Sequence, residues 1–364
     1  MGQLINFCAG AELKILPANR VNAILFNVPD NGDRESDIRN TLKIIKAAKS
    51  NIVMLDSGGY QLLEAENLQK KITIDSSKPV IRTQSEINLA PWHVMEAAAR
   101  LKPDFAVCLD FPILNIPDPI GQEFEFKRKL GFNSTLALEC LGLKNQFCPE
   151  VKLLLPIQCD NIDQLSIFLH FIGGTENFEG VSMPIRGMSI NKIALFFAQF
   201  YQLNIRRVHI LGTSKFYVIA LCAYMARHYF DWVSFDATTW SEFAKNAFYM
   251  HPCDLKSIKL GSRVIVDENI INDCICPFCR DKTFTYIKNL PHTEKGALLK
   301  GHNWWVLEKA TRDLYENCGS VIELKNYLKG KSREFDKIEE LCRALSIVDA
   351  LKGSDIGLLQ CALS

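Results

Sequence analysis

Four polar residues stand where short apolar runs of the sequence break off. Asp56 follows Ile52-Val53-Met54-Leu55, Asp110 follows Phe105 to Leu109, Gln158 follows Leu153 to Ile157, and Asp236 follows Trp232-Val233-Ser234-Phe235. Carboxylates working in pairs suit substitution at a sugar anomeric carbon. One attacks C1′ or stabilises the oxocarbenium ion, and the other moves protons to and from the leaving group. Any single strand-end Asp can equally cap the next helix or close a turn. Asp56-Ser57-Gly58-Gly59-Tyr60 adds a glycine pair that lets backbone approach a flat ligand, with an aromatic ring beside it for stacking. Cys274, Cys276 and Cys279 form a second group, whose C-x-C-x2-C spacing can supply three thiolates to one zinc ion. The fourth ligand must come from elsewhere. His302 lies in a helical stretch beside Leu298, Leu299 and Val306, with His292 as a competing donor. A Cys3His site is closed and therefore structural, so the expectation is one zinc ion per chain.

These residues need a scaffold that gathers strand ends. Further runs, Gly180-Val181-Ser182-Met183 and Val208 to Leu211 before Gly212, continue the series, and helical patterns such as Ile190 to Gln202 and Phe216 to His228 lie between. Continuous apolar strands alternating with helices imply a parallel sheet covered on both faces. A repeating unit of about 30 residues fits a (β/α)8 TIM barrel, with its chemistry at the C-terminal strand ends. An open doubly wound sheet is the alternative. Residues 61 to 104 are too long for one crossover and read as an excursion on that face. The expected division is a catalytic barrel over 1–265, then a zinc-binding unit and C-terminal helices over 266–364. One of those helices runs from Phe335 to Lys352, with Ile338, Leu341, Cys342, Leu345, Val348 and Leu351 on one stripe.

The chain has 364 residues, 48% hydrophobic and 23% charged, which excludes a disordered or collagen-like polymer. With 42 Lys+Arg against 41 Asp+Glu, the net charge of +1 excludes a protein that coats nucleic acid through bulk charge. A polynucleotide partner then needs a local basic surface. Candidates are Lys127-Arg128-Lys129, Arg206-Arg207 and the Lys325, Lys329, Lys331, Arg333 run, although such runs also read as solvated faces. The opening residues carry no secretory or myristoylation pattern, and the longest uncharged apolar run, Phe216 to Ala226, is too short for a membrane span. The 13 cysteines therefore read as cytoplasmic thiols rather than a disulfide framework.

Taken in order, Leu55 to Gln61, Cys108-Leu109-Asp110, Pro156-Ile157-Gln158, Phe235-Asp236 and the Cys-x-Cys-x2-Cys…His302-Asn303 set resemble the tRNA-guanine transglycosylase superfamily. These are zinc-containing (β/α)8 enzymes that exchange guanine in nucleic acid for a 7-deazaguanine. The resemblance implies that Asp236 is the nucleophile, holding a covalent glycosyl intermediate, and that Asp56 is the general acid/base. Asp110, Gln158 and Ser57 would hydrogen-bond the purine edge, and Tyr60 and Leu211 would form a base-stacking slot. Met183 and Gly212 complete the implied substrate-binding set.

Two departures refine the expectation. Ser182-Met183-Pro184-Ile185-Arg186-Gly187-Met188 replaces the family's Gly-Gly-Leu-Ala-Val-Gly-Glu loop. Met188 stands where bacterial members place the Glu associated with an aminomethyl base, so the neutral nitrile preQ0 is favoured over preQ1. Thr238-Thr239-Trp240-Ser241 replaces the Pro-Thr-Arg segment associated with tRNA, which favours the DNA-modifying branch over queuosine- or archaeosine-type tRNA exchange. A helper protein that opens the duplex is a plausible partner, and homodimerisation is implied by the family. The rival readings are a non-catalytic partner subunit and a small-molecule hydrolase of the same fold.

Overall fold

The computed structural model describes residues 2–10, 12, 21–28, 34–48, 52–59, 72–75, 80–83, 88–113, 116, 118–185, 187–260, 269–353 and 355–363. Strands β1 (Gln3–Ala9), β2 (Ala23–Asn27) and β3 (Ile52–Asp56) open the chain. Next, β4 (Ile72–Asp75), β5 (Val80–Thr83) and β6 (Asn88–Leu89) form a separate three-stranded antiparallel sheet. The parallel series resumes with β7 (Phe105–Val107), β8 (Lys152–Pro156), β9 (Gly180–Pro184), β10 (Arg207–Leu211) and β11 (Trp232–Asp236). Eight of these described strands close in the order β1-β11-β10-β9-β8-β7-β3-β2. The closed order settles the choice between barrel and open sheet in favour of the barrel. Beyond it, β12 (Phe248–Met250) and β13 (Ser257–Lys259) pair antiparallel.

The barrel strands are largely apolar because both faces are covered. Leu153, Leu154 and Leu155 of β8 are all buried, as are Trp232, Val233 and Phe235 of β11. Helices follow the strands as their periodicity dictates. The helix expected at Ile190 to Gln202 has those bounds, and in the helix Phe216–His228 every residue from Phe216 to Ala226 is buried. The excursion before β7 holds the small sheet and the helix Pro91–Leu101, while residues 61–71 lie outside the described residues.

The chain forms two compact units. One comprises 1–20, 189–201 and 212–364, and carries β1, β11, the cysteine-rich segment and the C-terminal helices. Its helix Phe335–Ala350 buries Ile338, Leu341, Cys342, Leu345 and Val348, the stripe read from the sequence, with Leu351 capping its end. The other unit comprises 21–188 and 202–211, and carries β2 to β10. All 13 cysteines are free thiols, buried except Cys253 and Cys361. Among the described residues no helix is long and apolar enough to cross a membrane.

Candidate active site and metal centre

Asp110 lies just past the end of β7, 5% exposed, with both carboxylate oxygens engaged. Ser57 Oγ, one residue beyond β3, donates to Oδ1 at 3.0 Å, and Gln158 Nε2, two residues beyond β8, donates to Oδ2 at 2.5 Å. Backbone amides fix each donor in turn. Gly59 N donates to Ser57 Oγ at 3.2 Å, and Ile113 N donates to Gln158 Oε1 at 3.2 Å, which turns the carboxamide nitrogen toward Asp110. Gly58 adopts φ 83°, open to glycine, and a Cβ on Gly59 would stand 2.5 Å from Asp110 Oδ1. The Gly-Gly pair is thus the local condition for the carboxylate to sit against the turn. Burial pushes the Asp110 carboxyl up to about 6, although hydrogen bonds from Ser57 and Gln158 and the charge of Lys129 act against it.

Asp236 ends β11 half-buried, and its Oδ1 accepts from Gly212 N at 2.9 Å. Its carbonyl accepts from Thr213 N at 2.8 Å. Gly212 turns at φ 70°, which brings its amide to the carboxylate. Asp56 ends β3 half-buried, and its carbonyl accepts from Val28 N at 2.9 Å. Met183 is buried inside β9 opposite Ile210, and Leu211 ends β10 opposite Pro184. Ser57, Asp110 and Gln158 are brought into one bonded group, as are Gly212 and Asp236. Tyr60 and Arg186 lie outside the described residues.

Of the residues in the basic runs, Lys129 departs from the expectation of a phosphate contact. Lys129 is 1% exposed and bound internally, and Arg128 makes two hydrogen bonds to Glu125. Arg207 pairs with Glu179, Lys127 with Glu123, and Lys325 and Lys329 with Glu339. Lys129 is therefore corrected to a core residue: a buried ammonium cannot meet a phosphate.

Cys274, Cys276, Cys279 and His302 form a buried group whose ligand atoms lie within 4.8 Å of one another. The three Sγ atoms surround His302 Nδ1 at 3.5, 3.3 and 3.5 Å. His302 Nε2 lies 2.9 Å from the Met250 carbonyl, so a neutral ring donating there leaves the Nδ1 lone pair for a metal. Tyr249 stacks on the imidazole at 3.8 Å, and Phe278 fills the space over Gly301, where a Cβ would meet its ring at 2.3 Å. Asn303 ties the neighbouring elements together, accepting from Met250 N at 2.8 Å and donating to the carbonyls of Trp240 and Phe248. Hydrogen bonds from Cys276 and Cys279 drive the Cys274 thiol far down, and bonding to Cys274 drives Cys279 far up. Sulfurs this close ionise together only around a cation, so the group can hold a metal ion. His292 is exposed at the start of the helix His292–Glu316 and takes no part.

Sequence reading passed over Tyr249, Met250, Ile113 and Asn133, and named Asn303 only as the neighbour of His302. Tyr249, Met250 and Asn303 support His302 through stacking and hydrogen bonds that leave no spacing motif. Asn133 bonds the backbone of Phe111, and its only signal is helical spacing from Glu125 and Lys129. No protein-family model matches the chain, and no curated protein matches it.

Proposed function

We propose that the protein is a guanine transglycosylase that exchanges guanine in a polynucleotide for a 7-deazaguanine base. The observation that carries this reading is the Asp110 group. A carboxylate offers about four lone-pair sites. Ser57 and Gln158 occupy two with fixed geometry, which leaves capacity for the paired N–H donors of a guanine edge. Double displacement assigns the remaining roles. The Asp236 carboxylate attacks C1′ as the C1′–N9 bond breaks, and Asp56 gives the departing guanine its proton. Asp56 then takes the N9 proton of the incoming base, whose N9 attacks C1′ and releases Asp236, with net retention. The Gly212 amide steadies the nucleophile in the ground state and at its release.

Zinc is the metal we assign to the Cys3His group, in a structural role. Tetrahedral zinc with Zn–S of about 2.3 Å and Zn–N of about 2.05 Å requires S···N edges of about 3.6 Å, and the three observed edges run from 3.3 to 3.5 Å. Its chemistry is limited to holding the helix His292–Glu316 against the cysteine turn, since four protein donors leave no open position.

DNA is the favoured polynucleotide and preQ0 the favoured base. Trp240, in the segment that replaces the tRNA-associated one, is fully buried against Trp304, which supports a packing role there. A helper protein, or a second copy of the chain, adds phosphate contacts to those open to the exposed Arg333 and to surface lysines that exchange a carboxylate partner for phosphate. Replacing Asp236 by Asn should abolish both base exchange and the covalent adduct isolated by denaturing electrophoresis. Survival of the adduct would reject the assigned nucleophile.

A further inference from the structure

The helix Pro119–Phe147 presents Glu125, Lys129 and Asn133 at successive turns to the segment following Asp110, and all three are buried. Asn133 clamps both backbone polar groups of Phe111, accepting from N at 2.7 Å and donating to O at 3.1 Å. Lys129 Nζ donates to the Pro112 carbonyl at 2.6 Å, pairs with Glu125 Oε1 at 2.6 Å and sits 4.0 Å above the Phe111 ring. Glu125 also accepts from Arg128 at 2.8 and 2.9 Å. The clamped segment ends at Ile113, whose N–H orients Gln158. A path of direct contacts therefore runs from the helix to the carboxamide that faces Asp110. A buried lysine carries a desolvation cost that an apolar residue of similar size would avoid, and packing alone does not account for it.

We propose that Glu125, Lys129 and Asn133 are positioning residues for the base-recognition group, fixing Phe111 to Ile113 so that Gln158 and Asp110 favour a base edge with two N–H donors. This rests on the guanine reading given above. The chemical discriminator is the 2-amino group: guanine presents N1–H and the amine, whereas hypoxanthine presents N1–H alone. The Lys129 charge also opposes the burial that raises Asp110, favouring its acceptor form.

The test uses the full chain carrying Lys129→Met, with Lys129→Arg as the rescue. Arg128 still pairs with Glu125 in Lys129→Met, and the double variant Glu125→Gln/Lys129→Met serves if the single variant does not fold. Hydrogen exchange at the Phe111 and Ile113 amides is read without any base, and guanine and hypoxanthine binding by calorimetry. Lys129→Met should speed exchange at Ile113 about tenfold and reduce a guanine preference of about tenfold or more to about threefold, while Lys129→Arg restores most of both. Unchanged exchange and preference in the folded variant overturn the inference, as does an equal loss for both bases. Wild-type protein that binds neither base instead overturns the guanine reading and the specificity claim with it, even if exchange at Ile113 depends on Lys129.

Discussion

Replacing Asp110 by Asn should make the protein's stability less sensitive to pH in a defined window. Burial raises this carboxyl from 3.8 to about 6. At about 1.36 kcal/mol per pH unit, the ionised folded form bears a penalty of ~3 kcal/mol. The folded state binds the proton more tightly than the unfolded one, so the carboxyl adds no penalty below about pH 4, where both states hold it. Stability then falls as pH rises through the window and levels off above about pH 6. Asn cannot ionise. Its amide can accept from Ser57, but its own N–H groups oppose Gln158 Nε2, a loss of about 1 kcal/mol that does not vary with pH. Urea unfolding of both proteins between about pH 4.5 and 7.5 isolates the titrating part, and the Asp110→Asn variant should gain about 2 kcal/mol relative to wild type across that range. The Glu308 carboxyl, which burial also raises, to about 7, is present in both proteins and cancels in the difference. Parallel stability curves would refute the assignment of Asp110 as a buried, ionisable recognition group.

The other expectations bear on the turn and the metal. Gly59→Ala places a methyl 2.5 Å from Asp110 Oδ1, so it should cost about 1–3 kcal/mol of stability and weaken guanine binding more than it weakens folding, read by calorimetry alongside thermal melts. Purified protein should carry one zinc per chain by elemental mass spectrometry. Cys276→Ser should lose the metal and lower stability by several kcal/mol, because structural zinc contributes on the order of 10 kcal/mol to folding; metal-free wild-type protein with an unchanged melt would contradict this.

The legible parts of the fold were those with local signals. β8 announced itself as an uninterrupted apolar run, β11 as an apolar run broken by Ser234 alone, and the helix Ile190–Gln202 by its period. β1 and β2 went unread. Asn6 interrupts the first, the second carries the same kind of apolar run as β8, Ala23-Ile24-Leu25-Phe26 ahead of Asn27, and the β1–β11 pairing spans more than two hundred residues of chain that no local pattern reports. The small sheet of β4 to β6 was equally silent because its strands are two to four residues long. At the candidate site, side chains at strand ends were readable by type. The backbone contacts that orient them, Ile113 to Gln158 and Gly212 to Asp236, were not, since every residue but proline carries the same N–H. Lys129 misled because three adjacent cations look like a solvated or phosphate-facing patch. Its spacing of four from both Glu125 and Asn133 was the signal that pointed inward.

The central claim is base exchange, and incubation of the purified chain with radiolabelled guanine and either DNA or tRNA, single- and double-stranded, tests it most directly. The account predicts label entering polynucleotide, DNA ahead of tRNA, with none entering when Asp236 is replaced by Asn. Absence of label from every polynucleotide, in protein that is folded and carries its metal, would contradict it.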